Sequence, residues 1–443
     1  MGLSGLEIYK LLPKTNCKKC GFPTCLAFAM QLAAKKVSLD KCPDVAEEAK
    51  KALDSAAQPP IKLITIGQGE DKLEIGNETV LFRHEEKFYH PTGIGFLLED
   101  TQSQEEIKKA LGDIKKLDFE RVGQRIKVNI IALSAKSADA SKFTQALKTI
   151  LENTSLPILL MSDDPGIVGK ALEISRDRVP LIYRATNANF KEMAKLSKDN
   201  KVPLVASAKT LEELESLVKN LNNEGVADLI LDIGDKDITE KIWEFTQIRK
   251  LALKKAFRAF GYPIIVFTKG NDPYQEVIEA TTYVSKYAGL VIMKSKDPWA
   301  ILPVLTARQN IYTDPQKPLQ VEAKVYEIGK VEEKSPVLVT TNFSLTYYTV
   351  EAEVEASKVP AFIVSCDAEG MSVLTAWAAD KFTGESIAKT LEKFDVKAKV
   401  NHKNVVIPGY VAVLSAKLEE ESGWKVTVGP REASGIQSFL RKL

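Results

Sequence analysis

Residues 17–42 read CKKCGFPTCLAFAMQLAAKKVSLDKC and contain four of the five cysteines of the chain. Their spacing, C-x2-C-x4-C-x16-C, places three cysteines close together and a fourth at a distance, which is typical of a [4Fe-4S] cluster held by four thiolates. A structural zinc site usually pairs two C-x2-C turns or includes histidine, and no histidine lies near this stretch. We therefore predict that a cluster is bound by Cys17, Cys20, Cys25 and Cys42. Zinc, or a redox pair of Cys17 with Cys20, is the alternative.

Three short helices are predicted around these cysteines: Leu6–Leu12, a helix that begins at Thr24 or Cys25, and Asp44–Ala57. A capping box of Ser4 and Glu7 begins the first helix, and Pro13 ends it. A core this small needs a metal centre to stabilise it, because it buries little apolar surface. Gln58-Pro59-Pro60 then interrupts the helical pattern, so residues 1–57 are predicted to form a separate cluster domain.

Residues 61–312 alternate short apolar runs with amphipathic helices, which is the pattern of βα units. A hairpin of Ile61–Gly67 with Glu78–Phe82 is predicted to precede them. The strand-like runs that follow are Gly93–Leu98, Ile126–Leu133, Pro157–Ser162, Leu181–Ala185, Pro203–Ala206, Asp228–Ile233, Pro263–Thr268 and Gly289–Lys294. Eight such units over this length predict a TIM (β/α)8 barrel. Gly67-Gln68-Gly69 lacks the third glycine of a dinucleotide-binding turn.

Residues 320–443 are predicted to form an open parallel, Rossmann-like α/β domain, after a linker at Asp314–Pro318. Its predicted strands are Val337–Thr340, Ala361–Ser365, Asn404–Ile407 and Lys425–Val428. Ligands bind outside the carboxyl ends of the strands in such sheets, and there the sequence has glycines and hydroxyls with few charges. These residues suit a large neutral ligand with amide edges. The alternative is that they are ordinary turn and helix-capping residues.

The composition excludes two classes of partner. Lys and Arg total 61 against 59 Asp and Glu, a formal net charge of +2, so nucleic-acid binding is not expected. No apolar run approaches the roughly 18 residues of a membrane span, and the first residues lack the pattern of a signal peptide. We therefore expect a cytoplasmic protein that binds neither nucleic acid nor membrane.

Two histidines and the fifth cysteine each have a functional and a structural interpretation. His84 and His90 could ligate a metal, but a solvated loop is the preferred interpretation because no third ligand is placed. Cys366 ends a predicted strand, and we expect a buried free thiol there.

Charged residues of the barrel are similarly open to two interpretations. Asp163, Asp164 and Asp235 follow barrel strands, where catalytic groups gather, yet helix capping explains them as well. The basic helical face within Arg249–Arg258 is expected to face solvent, with a docking patch as the alternative.

Two C-terminal motifs, together with the cysteine stretch, resemble one family. The motifs are VTTNFSLTYY at residues 339–348 and GPREASGI at residues 429–436. With Cys17–Cys42 followed by a barrel, the chain closely resembles the large (gamma) subunit of the corrinoid iron–sulfur protein of the anaerobic acetyl-CoA (Wood–Ljungdahl) pathway, over essentially its whole length. The resemblance implies an N-terminal [4Fe-4S] domain, a central TIM barrel and a C-terminal domain that binds a corrinoid.

This family carries methyl groups, and the resemblance implies the same role for this chain. A cobamide in the Co(I) state accepts a methyl group from methyltetrahydrofolate, held by a separate methyltransferase, and passes it to acetyl-CoA synthase during carbon fixation. The cluster supplies electrons that return Co(II) to Co(I). The implied partners are a small (delta) barrel subunit in a heterodimer, the methyltransferase, and carbon monoxide dehydrogenase/acetyl-CoA synthase. The resemblance makes the chain a carrier component and leaves open whether it is itself an enzyme.

The resemblance also implies which residues contact the corrinoid, namely Thr340, Thr346, Gly370, Met371, Ser372, Val373, Gly435 and Ile436. Asn401-His402-Lys403 does not match the Asp-x-His-x-x-Gly motif that supplies an axial histidine in many corrinoid proteins. A base-off, His-off corrinoid is therefore expected. An axial nitrogen stabilises the higher oxidation states of cobalt, so its omission eases reduction to Co(I).

The residues alone are compatible with two other functions. The barrel could be a pterin-dependent methyltransferase with an accessory iron–sulfur cluster, which would bind folate without cobalt. The cysteines could instead hold zinc in an interaction scaffold that has no redox chemistry.

Overall fold

The computed structural model describes residues 5–33, 37, 41–46, 59–121, 124–270 and 272–443. The chain divides into two compact units. The first comprises Met1–Asp118 with Lys127–Tyr312, and the second comprises Phe119–Ile126 with Thr313–Leu443. The chain therefore passes between the units three times, because a short segment within the barrel sequence belongs to the second unit.

Two short helices pack together at the start of the first unit. They are Gly5–Leu11 (α1) and Cys25–Ala33 (α2). The Thr24 hydroxyl caps α2 by accepting a hydrogen bond from the Ala27 amide at 3.1 Å. Both helices confirm the predicted ones within one residue at each start.

Part of the predicted N-terminal structure is not described. Ser4 of the predicted capping box and Gln58 of the predicted linker lie outside the described residues. The predicted helix Asp44–Ala57 is described only for residues 44–46, which are not helical, and the remainder lies outside as well.

Twelve strands and eight helices lie between residues 59 and 312 of the described chain. The strands are Ile64–Ile66 (β1), Leu73–Ile75 (β2), Gly93–Glu99 (β3), Asp118–Arg121 (β4), Gln124–Lys127 (β5), Ile130–Ser134 (β6), Ile158–Met161 (β7), Leu181–Ala185 (β8), Leu204–Ser207 (β9), Leu229–Asp232 (β10), Ile265–Phe267 (β11) and Leu290–Met293 (β12). The helices are Gln104–Lys115 (α3), Ala140–Asn153 (α4), Pro165–Ser175 (α5), Phe190–Asn200 (α6), Leu211–Asn223 (α7), Ile238–Lys255 (α8), Pro273–Ser285 (α9) and Pro298–Tyr312 (α10).

The strand β3 and the strands β6 to β12 form one eight-stranded parallel sheet. A bridge between Leu231 and Ile264 closes it between β10 and β11. A helix follows each strand, and side-chain caps fix where helices begin, as where Ser103 and Glu106 form a capping box at α3. The predicted TIM barrel is thus confirmed. Within the described ranges, no helix combines the length and apolar character that a membrane crossing requires.

Two strand assignments made from the sequence are wrong. The hairpin partner of Ile64–Ile66 is Leu73–Ile75, not Glu78–Phe82, because a short turn returns the chain directly after Ile66. The run Ile126–Leu133 holds the end of β5 and the start of β6. The strand is interrupted there because the Asn129 side chain, not a strand neighbour, accepts the Ile94 amide at 3.1 Å.

The β1–β2 hairpin fills the amino-terminal end of the barrel. Its four apolar side chains, Ile64, Ile66, Leu73 and Ile75, are buried among the inward-facing residues of the barrel strands. Gly93 on β3 makes room for the hairpin, since a Cβ atom there would lie 2.7 Å from Leu73 Cδ2. The absence of a side chain at Gly93 is therefore what allows Leu73 to enter the barrel.

The second unit is built on a five-stranded sheet in the order β13-β15-β14-β16-β17. The strands are Val325–Ile328 (β13), Val337–Thr341 (β14), Ala361–Cys366 (β15), Asn404–Ile407 (β16) and Lys425–Val428 (β17). The helices are Ser344–Ser357 (α11), Val373–Ala378 (α12), Gly384–Lys393 (α13), Val396–Lys399 (α14), Ser415–Ser422 (α15) and Ile436–Leu440 (α16). The four predicted parallel strands are confirmed, and β13 adds an antiparallel edge strand that was not predicted.

The chain reverses direction across this sheet at β14. It continues from β14 to β15 on one side and then crosses to β16 on the other, so the topological switch point lies between β14 and β16. These two strands share a single residue pair, Leu338 with Val406. Apolar cores cover both faces, with α11 and α16 contributing to one and α13 and α15 to the other.

The contact between Gly93 and Leu73 can be tested by a double-mutant cycle. We expect Gly93→Ala to destabilise the barrel by about 1–3 kcal/mol through overpacking. Leu73→Ala should cost about 2–5 kcal/mol through the cavity that it leaves. The double variant should lose less than the sum, because the new methyl group enters that cavity. Urea unfolding of the four proteins measures this, and additive losses would contradict the contact.

Candidate functional site

The four N-terminal cysteines lie beside the small helical core. Cys25 and Cys42 are buried, Cys20 is half-buried and Cys17 is exposed. Burial raises the pKa of the Cys42 thiol, and the nearby thiols of Cys20, Cys17 and Cys25 raise this pKa further. The four sulfur atoms are therefore close enough to interact electrostatically, as the spacing predicted.

The loop before α2 turns tightly around these cysteines. Lys14, Asn16, Lys18 and Gly21 all adopt positive φ angles. The Asn16 side chain accepts a hydrogen bond from the Cys25 amide at 2.8 Å, and the Asn16 amide lies 3.4 Å from Cys25 Sγ. Amide groups directed at a sulfur stabilise its thiolate, which is the form that ligates metal.

An ion pair connects the two cysteine-bearing segments. Lys19 Nζ lies 3.0 Å from Asp44 Oδ2, which brings the segment after Cys42 beside the loop between Cys17 and Cys20. Both side chains are largely exposed, so the pair adds little to stability. The pair shows where the segment after Cys42 lies, but it is too weak to hold that segment there.

The four cysteines offer only thiolate donors. Each corner of a cubane [4Fe-4S] cluster binds one protein thiolate, so such a cluster needs four. Cys17, Cys20, Cys25 and Cys42 supply that number, and soft thiolates are the ligand type of iron–sulfur clusters.

A second candidate site is a cleft of about 320 Å³ in the second unit, at the topological switch point. Ligands bind at this place in open α/β sheets, because the connecting helices diverge there. Four segments line it: the end of β14 with the first turns of α11, the start of α12, residues 406–410, and residues 429–439. The four carboxyl-end loops noted in the sequence thus contribute to one cleft.

Unpaired hydroxyls lie at the base of this cleft. Thr340 lines it and is 1% exposed, and its Oγ1 atom has no hydrogen-bond partner among the described residues. Thr341, Ser344 and Ser365 have equally unpaired hydroxyls at the same strand ends within the described part of the chain. A buried hydroxyl without a partner costs about 1–3 kcal/mol. A ligand whose edge carries amide groups would satisfy Thr340, so this observation fits a corrin ring with peripheral amides.

Five of the eight predicted contact residues line the cleft: Thr340, Thr346, Ser372, Val373 and Ile436. The other three lie behind its surface. Gly370 and Met371 belong to the turn before Ser372, and Gly435 packs against Pro430, where a Cβ atom would approach Pro430 Cβ to 2.8 Å.

Apolar residues that the sequence analysis did not single out form much of the cleft wall. They include Leu338 on β14, Val350 on α11, Val406 on β16 and Phe439 on α16. Each occupies a position where strand or helix periodicity predicts an ordinary core residue. The sequence around it therefore does not show that it lines a cleft. Only the topology, which opens a gap between β14 and β16, could have identified these residues.

His402 lies away from the cleft. Its Nε2 atom is 3.1 Å from the Ser335 carbonyl oxygen, and its Nδ1 accepts from the Asn404 amide at 3.2 Å. Ser335 precedes β14 and Asn404 begins β16, so this histidine lies at the amino-terminal edge of the sheet. It is the one histidine in residues 313–443, and it is positioned away from any ligand of the cleft.

Side chains fill the carboxyl end of the barrel. Tyr183 and Phe267 pack edge to face, with ring centroids 5.0 Å apart, against the interior core. Asp232 is buried and accepts hydrogen bonds from the hydroxyls of Tyr183 at 2.9 Å and Ser207 at 2.7 Å. Burial raises the pKa of Tyr183, which keeps its hydroxyl protonated and donating. These polar groups therefore satisfy one another.

Helix capping holds for one of the three aspartates at the barrel strand ends. Asp164 caps α5, as predicted. Asp163 instead pairs with Arg184 at 3.0 Å. Asp235 pairs with Lys269, and Asp237 is the residue that caps α8.

The prediction that Arg249 faces solvent is wrong. Arg249 is 5% exposed and lies 3.6 Å from the carboxylate of Glu78. Its guanidinium donates to the Val80 carbonyl and packs over the rings of Phe88 and Tyr287. The reason is that residues 78–88 fold against α8, which the helical pattern alone could not reveal.

The predictions for Cys366 and His84 agree with the structure, and the one for His90 does not. Cys366 is a buried free thiol, and burial raises its pKa to about 12, so it stays protonated. His84 is exposed, as predicted for a solvated loop, and stacks on Phe82 at 5.6 Å between ring centroids. His90 is half-buried, and its Nδ1 atom is buried without a hydrogen-bond partner among the described residues.

The unpaired hydroxyl of Thr340 leads to a prediction for the ligand-free protein. We expect Thr340→Val to stabilise it by about 1 kcal/mol, because the substitution removes a buried polar atom that lacks a partner among the described residues. Thr383 is a matched control, since its hydroxyl accepts the Ser386 amide in a capping box. Thr383→Val should instead destabilise the protein by about 1 kcal/mol. Thermal unfolding of both variants measures this, and a destabilised Thr340→Val protein would show that the hydroxyl has a partner.

Two family models match the chain. Residues 63–440 match the model described as CO dehydrogenase/acetyl-CoA synthase delta subunit. Residues 12–43 match a model described as "Putative Fe-S cluster". The second match contains all four predicted cluster ligands.

Solved structures of dihydropteroate synthase align only weakly with the chain. The Thermus thermophilus enzyme in complex with 6HMPPP aligns with 16% identity and a TM-score of 0.40, covering 56% of this chain and 100% of that one. The Vibrio fischeri ES114 enzyme aligns with 13% identity and a TM-score of 0.38, covering 50% of this chain and 94% of that one.

Relatives that match the chain over its full length are much more similar to it in sequence. The chain is 50% identical over 441 residues to the corrinoid/iron–sulfur protein large subunit of Moorella thermoacetica, covering 100% of this chain and 99% of that protein. It is 37% identical over 456 residues to the acetyl-CoA decarbonylase/synthase complex subunit gamma of Methanothermobacter thermautotrophicus, again covering 100% and 99%. The chain therefore belongs to the family of corrinoid/iron–sulfur protein large subunits and acetyl-CoA decarbonylase/synthase gamma subunits.

Proposed function

We propose that this protein is a corrinoid- and cluster-containing methyl carrier of an acetyl-CoA synthase system. More specifically, the protein would accept a methyl group from methyltetrahydrofolate through a separate methyltransferase and deliver this group to acetyl-CoA synthase. The observation that carries the proposal is the cleft at the switch point with the Thr340 hydroxyl at its base, unpaired among the described residues. The family membership supports the same role.

The residues of the cleft suit a large, mostly neutral ring. Leu345 and Leu374 present exposed apolar surface at its mouth, and Thr340 and Thr346 offer hydroxyls to amide groups. When bound, the corrinoid supplies a cobalt atom that can accept and release a methyl group. Because His402 is held at the far edge of the sheet, residues 313–443 provide no imidazole for the cobalt.

The apolar part of the cleft would suit a flat aromatic group of a bound corrinoid. Leu338, Val350 and Phe439 extend the cleft between the sheet and its covering helices. A flat aromatic group is stabilised there by apolar burial, which would favour the base-off form. This arrangement supports the predicted His-off, base-off cofactor.

The four cysteines are proposed to hold a [4Fe-4S] cluster, which when bound supplies low-potential electrons. Asn16 directs its backbone amide towards Cys25, and the Lys19–Asp44 pair lies between the Cys42 segment and the loop that carries Cys17 and Cys20. We also propose the division into a cluster domain at residues 1–57, a barrel at 61–312 and a corrinoid-binding domain at 320–443.

A pterin-dependent methyltransferase activity of the barrel has less support. Such a site would need space at the carboxyl ends of the barrel strands. Tyr183 and Phe267 cover the interior there, and Asp232 is engaged by two hydroxyls of the barrel itself. The barrel is therefore proposed to be a scaffold.

The proposed partners follow from the open cleft. Leu345, Leu374 and Tyr410 line the cleft and form an exposed apolar rim. A rim of this kind is expected to meet another protein. We propose that a small barrel subunit covers it, and that the methyltransferase and acetyl-CoA synthase approach the same ring in turn.

Metal analysis tests the proposed function directly. Protein purified without oxygen and co-produced with its small-subunit partner should contain about four irons and one cobalt per chain. Its absorption spectrum should show corrin bands unperturbed by an axial histidine. Iron without cobalt would contradict the carrier role and favour the methyltransferase. Zinc in place of iron would contradict both.

The cysteine ligands can be tested against a matched free thiol. We expect Cys25→Ala to lose the cluster and its absorption, because three thiolates leave one iron without a protein ligand. Cys366→Ala should retain the full iron content, since Cys366 is a buried protonated thiol in the other unit. Iron content and the electron paramagnetic resonance of the reduced cluster measure the difference. Equal loss in both variants would show general instability instead.

A further inference from the structure

Asn342 lies at the end of β14 and is 3% exposed, and its side chain uses both of its polar atoms. Its Oδ1 atom accepts hydrogen bonds from the amides of Ala368 at 2.9 Å and Gly370 at 3.0 Å. Its Nδ2 group donates to Gln320 Oε1 and Asp367 Oδ1, both at 3.2 Å. One buried amide side chain therefore connects three separate segments of the second unit.

The segment that Asn342 holds has an unfavourable backbone conformation. Glu369 and Gly370 both adopt positive φ angles, 54° and 73°. A left-handed conformation costs about 1–2 kcal/mol for a residue with a side chain, so Glu369 needs hydrogen bonds from outside the turn to remain there. At Gly370 a Cβ atom would lie 2.6 Å from Gln320 Cγ, so the turn also fits closely against the Gln320 side chain.

The turn leads directly into the wall of the cleft. The Met371 amide donates to the Ala368 carbonyl at 3.0 Å, and Ser372 then begins α12. Ser372, Val373 and Leu374 line the cleft. Any shift of residues 367–370 is therefore transmitted within two residues to side chains that face the ligand.

The other support for the turn is weak. Lys381 pairs with Glu369 at 2.8 Å, but both side chains are about half exposed, so the pair adds little. The hydrogen bonds of Asn342 are buried, where an unpaired backbone amide is costly. The conformation of the turn thus depends mainly on Asn342.

We propose that Asn342 is a positioning residue of the corrinoid site: by holding the turn 367–370, it sets the place of Ser372–Leu374 against the ring. This inference rests on the proposed function. It assigns a role to a residue that does not itself line the cleft and explains why Gly370, also outside the lining, is a glycine.

The test swaps the side-chain amide of Asn342 with the side-chain carboxylate of Asp367 by two substitutions, made first singly and then together. Asn342→Asp keeps the acceptor for both backbone amides, but it removes the donor to Asp367 and places two carboxylates 3.2 Å apart. The double variant Asn342→Asp/Asp367→Asn restores the hydrogen bond with its direction reversed. In the wild type the Asp367 Oδ1 atom accepts both the Asn342 Nδ2 group and the Glu369 amide, the latter at 3.1 Å. An amide nitrogen in that place donates to residue 342 but cannot accept the Glu369 amide, so the exchanged pair gives up that one bond.

Corrinoid binding is measured on the full-length chain co-produced with its small-subunit partner, with hydroxocobalamin and cyanocobinamide as probes. We expect Asn342→Asp to weaken binding about tenfold, and the exchanged pair to recover most of that loss, because it removes the repulsion between the two carboxylates. Hydrogen exchange at the amides of Ala368 and Gly370 should be faster in the single variant and slow again in the double variant. This second readout does not depend on a bound ligand.

Ser335→Ala serves as the control for stability alone. The Ser335 hydroxyl accepts the Glu332 amide at 2.9 Å at the other edge of the same sheet, so its loss should destabilise this unit without altering corrinoid binding. Equal corrinoid affinity and equal exchange in the wild type and Asn342→Asp would overturn the inference while leaving the proposed function intact. A wild-type protein that binds neither probe would overturn the proposed function, and the inference with it.

Discussion

The crossing of the chain at the switch point of the C-terminal sheet is the constraint on which the candidate site depends. Since β15 and β16 lie on opposite sides of β14, their connecting helices cover opposite faces and diverge at the carboxyl ends of the strands. A single residue pair, Leu338 with Val406, joins β14 to β16. The cleft exists because of this topology, and the motif residues around Thr340 face it because they end the strand at which the chain reverses.

Sequence periodicity was sufficient for short apolar runs bounded by turns. The buried strand Asn404–Ile407 and the half-exposed edge strand Lys425–Val428 both have the predicted bounds. It failed where a partner defines the element, as for Leu73–Ile75, which is a strand because it pairs with β1. In the site, the hydroxyls at the strand end could be predicted, but not which of them faces the ligand. Adjacent strand residues point to opposite faces, so Thr340 reaches the cleft and Thr341 does not.

The two candidate sites differ in how much structure exists without the ligand. The cleft walls are parts of a packed sheet and its helices, so the cleft is formed before anything binds. In the N-terminal part, Cys25 and Cys42 are themselves members of a small buried core. A cluster held by Cys25 and Cys42, as proposed, would couple binding to folding, because its removal would leave that core incomplete. The remote position of Cys42 could be read from spacing, whereas the closeness of its segment to the Lys19 loop, seen in the Lys19–Asp44 pair, could not.

The position of the β4–β5 segment in the sequence bears on how the two units can be inherited. Residues 119–126 belong to the second unit although they are encoded between a helix and a strand of the barrel. The second unit is therefore not a contiguous stretch of coding sequence. A recombination event that transferred residues 313–443 to another protein would leave this segment behind. The second unit and the barrel are therefore expected to have been inherited together.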